Sequence, residues 1–237
     1  VNEVVEASRA FVCVRPQTYE DAEEAKVLAY VFEGRSGLEN TSFALLDPEG
    51  KKLTAGSRSP TMAYGAVERF VEALKSTAAK YADDAKSIDA LPTLRDLRLA
   101  LNVAAADMRP LVVVRGKDKD AAAALARKVA KFAWSKELVG TSHYVVLQAP
   151  ETFEGLAPEL GVSVVLPDPY GLGGKVLAHA KPDADAKALA KALTDGVAQQ
   201  SVEPREHDDH IREARRRGIE WKSPIPVSDP HVPERDR

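Results

Sequence analysis

Few side chains here are of types that do chemistry at neutral pH, and their spacing limits what they can do. Cys13 is the single cysteine among 237 residues, so the chain has no intrachain disulfide, no Cys-x-x-Cys pair and no multi-cysteine zinc site. A redox role would need a second thiol from elsewhere. Cys13 lies between Val12 and Val14 in an apolar run, and strand alternation puts it on the face opposite both. A free cysteine there behaves as a small buried hydrophobe, unless Arg15 on the same face supplies a cationic neighbour that activates the thiol. His207-Asp-Asp-His210 sets two imidazoles three residues apart. On a helix they point to one side and could hold a divalent metal, with His179 or His231 as further ligands. Gly171, Gly173 and Gly174 fall between two strands and not at a strand-to-helix turn, so they read as turn residues and not as a phosphate loop. No Ser/His/Asp combination carries a catalytic signature, no carboxylates are paired for acid–base work, and His143 and His179 fall at strand positions where a structural role is the default.

The composition removes other classes. Hydrophobic residues make up 44% and charged residues 29%, enough for real cores, while no apolar run approaches the ~20 residues of a spanning helix. With 33 Lys and Arg against 36 Asp and Glu, the net charge of −3 gives no electrostatic reason to expect nucleic acid. Nothing calls for a cofactor. The sequence begins at Val1, without the basic and apolar regions of a signal peptide. Removal of a leader ahead of Val1 is the simplest reading, and it points to a bacterial periplasm or exterior.

The elements that would position these residues follow from periodicity. Apolar β-branched runs alternate with helical stretches, the pattern of an α/β protein. Ala10 to Arg15 reads as a strand, and Thr18 and Asp21 have capping-box spacing before a helix carrying Ala22, Ala25, Ala29, Tyr30 and Phe32. Ser42 to Leu46 and Lys51 to Ala55 read as arms of a hairpin closed by Asp47-Pro-Glu-Gly50. Val67, Phe70, Val71, Leu74 and Tyr81 recur at helical spacing and should cover one sheet face. Ile88, Leu91, Leu94, Leu97, Leu101 and Val103 suggest a helical connector over 86–108. The order then repeats: strand Leu111–Val114, a helix capped by Asp118 or Asp120, strand His143–Gln148, a short helix over 151–160, strands Val162–Leu166 and Lys175–Ala180, and a helix opened by Asp183 or Asp185. Residues 201–237 hold Pro204, Pro224, Pro226, Pro230 and Pro233 and eight Lys and Arg against nine Asp and Glu. Prolines exclude continuous regular structure beyond about Gly218, and the balanced charge favours ion pairs or a partner-binding arm over a nucleic-acid stripe. Ile219, Trp221, Ile225 and Val227 give this arm apolar residues to lay on a domain or a second subunit.

Phe11-Val-Cys-Val-Arg-Pro-Gln-Thr-Tyr-Glu-Asp21 and Tyr144-Val-Val-Leu-Gln-Ala-Pro-Glu-Thr-Phe-Glu154 look like one strand-to-helix transition written twice, and Asp47-Pro-Glu-Gly-Lys51 answers Asp168-Pro-Tyr-Gly171. The β-α-β-α-β-β-α order, with its Asp-Pro-x-Gly hairpin before a final amphipathic helix, resembles the thioredoxin-like superfamily. The resemblance implies two tandem thioredoxin-like domains, mixed sheets flanked by helices, over 1–85 and 109–200, joined by the 86–108 connector and followed by the Pro-rich C-terminal arm of 201–237. Active members of that family carry Cys-x-x-Cys where the first strand enters the first helix. The matching place in the second copy is Arg115-Gly-Lys-Asp-Lys-Asp120, without a thiol, and in the first copy it would precede Val1. The family's cis-proline positions correspond to Thr41 and Ser163, and a cis peptide without proline costs several kcal/mol. The resemblance thus implies a thiol-disulfide oxidoreductase relative whose second domain is redox-silent and acts as a scaffold or binding surface for a protein partner or another copy. The rival expectations are a non-enzymatic binding module working through the arm and sheet edges, and a metal-handling protein using Cys13 or His207 and His210. Whether the chain is an enzyme stays open at this point.

Overall fold

The chain divides near residue 86 into two units, one within residues 1–86 and one spanning 87–220. The computed structural model describes residues 2–16, 22–31, 43–82, 90–148, 159–201 and 205–220. Among them, no helix is long and apolar enough to cross a membrane.

The first unit holds α1 (Asn2–Ser8), α2 (Ala22–Val31), α3 (Pro60–Tyr64) and α4 (Val67–Lys80). The helical spacing of Phe70, Val71 and Leu74 buries all three, together with Ala7 of α1 and Leu45. Phe43 meets Phe70 edge to face at 5.3 Å, the favoured geometry for aromatic quadrupoles. The Asp47–Gly50 turn forms as its residue types require: Gly50 N–H donates to Asp47 O at 2.9 Å, and Asp47 Oδ1 accepts from the N–H of Lys51 at 2.7 Å.

Two expectations are corrected here. The arms of this hairpin meet as isolated bridges, Phe43 with Ser57 and Leu46 with Lys52, and form no continuous strands among the described residues, so α4 packs with α1 and α3 and not over a sheet. Ala10 to Arg15 is not a strand. Alternation buries a face only where a neighbouring strand supplies one, and Val12 and Val14 are 52% and 75% exposed. The helix expected from Thr18 appears from Ala22 onward, and residues 17–21 lie outside the described residues.

The second unit is α/β: a five-stranded mixed sheet flanked by helices. In chain order it holds β1 (Thr93–Leu94), α5 (Leu97–Ala106), β2 (Leu111–Gly116), α6 (Lys119–Ala133), β3 (His143–Gln148), β4 (Gly161–Pro167), β5 (Gly174–Ala180), α7 (Ala186–Ala198) and α8 (His207–Arg216). The strand order is β1-β3-β2-β4-β5, with β1 and β2 parallel to β3 and with β4 antiparallel to β2 and β5. The run Leu111–Val114 is central and buried on both sides, which is why it is uniformly apolar and does not alternate. Val112 and Val114 pack with Leu125 and Val129 of α6 and Leu189 and Leu193 of α7. Leu111 and Val113 pack with Leu97, Ala100, Leu101 and Ala104 of α5.

Asp96, Asp118 and Asp185 open α5, α6 and α7, each carboxylate accepting a first-turn N–H at 2.7 to 2.8 Å. Such caps contribute about 1 kcal/mol each, and they select Asp118 and Asp185 from the pairs of candidates in the sequence. The expected connector is part of this unit. Thr93 and Leu94 pair with Tyr144 and Val145 as the edge strand, and the apolar face of α5, through Leu97, Ala100, Leu101 and Ala104, seals one side of the sheet.

Tyr144 lies in the core beside α6, and burial pushes its hydroxyl up to about 12 from the ordinary 10. A raised folded-state value means that folding retains the proton, so this contribution is fully present below pH 10 and is lost as pH rises toward 12. Between pH 9 and pH 11 the chain is expected to lose about 1 kcal/mol more stability than Tyr144→Phe, as measured by denaturant titration at the two pH values.

Candidate functional site: the end of the central strand

The strand-to-helix junction after β2 is where the sequence resemblance places chemistry, and the chain builds it tightly. Arg115 is the last large side chain of β2, Gly116 ends the strand and Asp118 caps α6 through Ala121 N–H at 2.8 Å. A Cβ on Gly116 would come within 2.1 Å of Ala122 N, so the first turn of α6 rests directly on the strand end and position 116 admits no side chain. The Asp118 carboxylate occupies the Ala121 N–H, one of the first-turn donors that an incoming anion or thiolate would otherwise use.

Beside this junction, on the α5 face of the sheet, stands a small set of polar groups. Arg115 is 1% exposed and Ser163 6% exposed. Ser163 faces Val113 across the β2–β4 pair and His179 across the β4–β5 pair. Its Oγ lies 2.9 Å from His179 Nδ1, and Glu159 Oε2 lies 3.8 Å from Nε2 of the same ring. The order acid, imidazole, hydroxyl resembles a nucleophile relay, but the geometry does not suit one. The Glu159 contact is longer than a hydrogen bond, and Ser163 is buried between the flanking strands, where a nucleophile needs an open approach to its substrate. The pair is a satisfied cross-strand contact within the sheet.

The sequence places His179 on a strand but gives no sign that it meets Ser163. Counting back from Pro167 and Gly174, which face each other at the turn, puts Ser163 opposite Ala178. A one-residue irregularity between Val164 and Val165 shifts the register, bringing His179 opposite Ser163 and onto its face.

The other candidates lie elsewhere. Cys13 is exposed in the extended segment after α1, its Sγ 4.0 Å from Ser8 O; the expected buried strand position is corrected, since no strand flanks it among the described residues. Ser163, the second-copy position singled out in the sequence, lies inside β4. Thr41 lies outside the described residues. His207 is exposed at the first position of α8. His210 stacks on Tyr170 with ring centroids 4.4 Å apart. Among the described residues no three His, Cys, Asp or Glu side chains stand together as a metal site. His143 bonds Asp107 at 2.8 Å, tying the start of β3 to the end of α5. No family model, curated protein or solved structure matches this chain.

His179→Ala leaves the Ser163 hydroxyl buried without its partner, which costs about 1–3 kcal/mol. Adding Ser163→Ala removes that orphan, so the double variant is expected to be less destabilised than the sum of the single variants by about 1 kcal/mol or more. Equilibrium unfolding of the four proteins in the cycle measures this coupling, and strict additivity would contradict the contact.

Proposed function

We propose that residues 87–220 are a thioredoxin-like domain without thiol chemistry, and that the protein acts as a binding scaffold for a protein partner through its sheet edge and C-terminal arm. The observation that carries this reading is the β2–α6 junction. Strand, helix, strand and antiparallel hairpin follow in the order the resemblance calls for. At the position where active relatives hold a thiol pair, the chain has a side-chain-free Gly116, a self-capping Asp118 and no sulfur. Binding through an edge is supported by β5, seven residues long and paired on one side only among the described residues, since such an edge offers free backbone donors and acceptors to an added strand. The periplasm or the exterior is the proposed compartment.

A turbidity assay of disulfide reduction, with a disulfide-linked test protein and dithiothreitol, checks the reading. The chain and Cys13→Ser are both expected to leave the rate at the uncatalysed level. Acceleration by the chain that Cys13→Ser abolishes would overturn it, because the single thiol would then be doing exchange chemistry.

A further inference from the structure

The loop between β4 and β5 is built as a rigid platform. Asp168 accepts the N–H of Tyr170 at 2.8 Å and that of Gly173, Gly171 takes a positive φ of 62° against Asn102 of α5, and Arg98 donates to Gly171 O at 2.6 Å. These contacts hold Tyr170 in place from three sides of its own loop. On this ring rests α8. The His210 imidazole stacks on it at 4.4 Å, the Arg217 guanidinium lies over it at 4.8 Å, and the Tyr170 hydroxyl donates to His210 O at 3.2 Å.

Among the described residues, few other contacts sustain α8 as a helix. It has ten residues, none of them buried, and Glu206 at its N-cap makes no side-chain cap. Isolated helices below about 12–15 residues are marginal in water. The Asp209–Arg212 and Glu213–Arg216 pairs within it are exposed contacts of small value.

We propose that α8 is a strap that folds only when docked on Tyr170, so that residues 205–220 alternate between a helix held on the domain and an unfolded arm. Docking and partner binding then compete, because the His210 and Arg217 side chains that grip Tyr170 are the groups the open arm would present along with Arg212, Arg215 and Arg216. The competition rests on the reading that the arm binds a partner. The strap itself does not, and the test below needs no partner, so either can fail alone.

Trypsin reads the strap directly, since Arg212, Arg215, Arg216 and Arg217 are cleavable only when the segment opens. Mass spectrometry of the full chain during brief digestion follows products ending at these residues, with cleavage after Arg127 in α6 as the internal control. Release at α8 is expected to be about tenfold faster in Tyr170→Ala and severalfold faster in His210→Ala, with the Arg127 rate unchanged. Alanine at 210 raises helix propensity, so faster cutting there reports the lost stack and not a weaker helix. Tyr170→Phe, which keeps the stack, is expected to stay within about twofold of the parent. An unchanged rate in His210→Ala would overturn the proposal, whatever Tyr170→Ala does to the domain.

Discussion

Everything in the second unit depends on the burial of one short strand from both sides. Leu111 to Val114 are four consecutive aliphatic residues, alternately pressed against α6 and α7 or against α5. Full burial of each such side chain contributes about 1.5–3 kcal/mol, so these few residues hold a large share of a domain's net stability. Their backbone pairs parallel to β3 on one side and antiparallel to β4 on the other. This fixes where the parallel half of the sheet gives way to the hairpin half, and so where the strand end, the α6 cap and the β4 entry converge.

The same constraint shapes the candidate site. An apolar strand covered on both faces leaves its carboxyl end as the place where polar groups gather, and Arg115, Ser163 and His179 gather there. The burial that assembles them also encloses them. Gly116 brings α6 so close that no side chain fits, Asp118 occupies the helix N-terminus, and the Ser163 hydroxyl faces its cross-strand imidazole and not an open cleft. The arrangement suits holding a shape more than turning over a substrate. The proposed scaffold role follows from these contacts, with the β5 edge and the Tyr170 platform as its outward-facing parts.

How much of this was legible in the sequence depends on whether a pattern was local. The Asp-Pro-x-Gly turns could be read because turn chemistry involves only neighbouring residues, and both form the same bond from the glycine N–H to the aspartate carbonyl. Strands β2 to β5 and helices α4, α6 and α7 could be read because their apolar periods match their burial. The strand expected over Ala10 to Arg15 failed because alternation describes a surface only if another strand lies beside it. The 86–108 connector was misread because a two-residue edge strand has no period, and an apolar helix looks alike whether it joins domains or seals a sheet. The meeting of Ser163 with His179 depends on a one-residue register shift, and the stack of His210 on Tyr170 joins residues 40 apart; neither leaves a local trace.

Native-state amide exchange on the full chain is the most direct measurement of the central claim. If β2 is the strand on which the fold depends, the amides of Val112 to Arg115 and their partners in β3 and β4 exchange only through global unfolding and form the slowest class, well behind those of α5 and α8. Exchange of the Val113 or Val114 amide at the rate of the helices would contradict the account, because a central strand paired and covered on both sides cannot open while the domain around it stays folded.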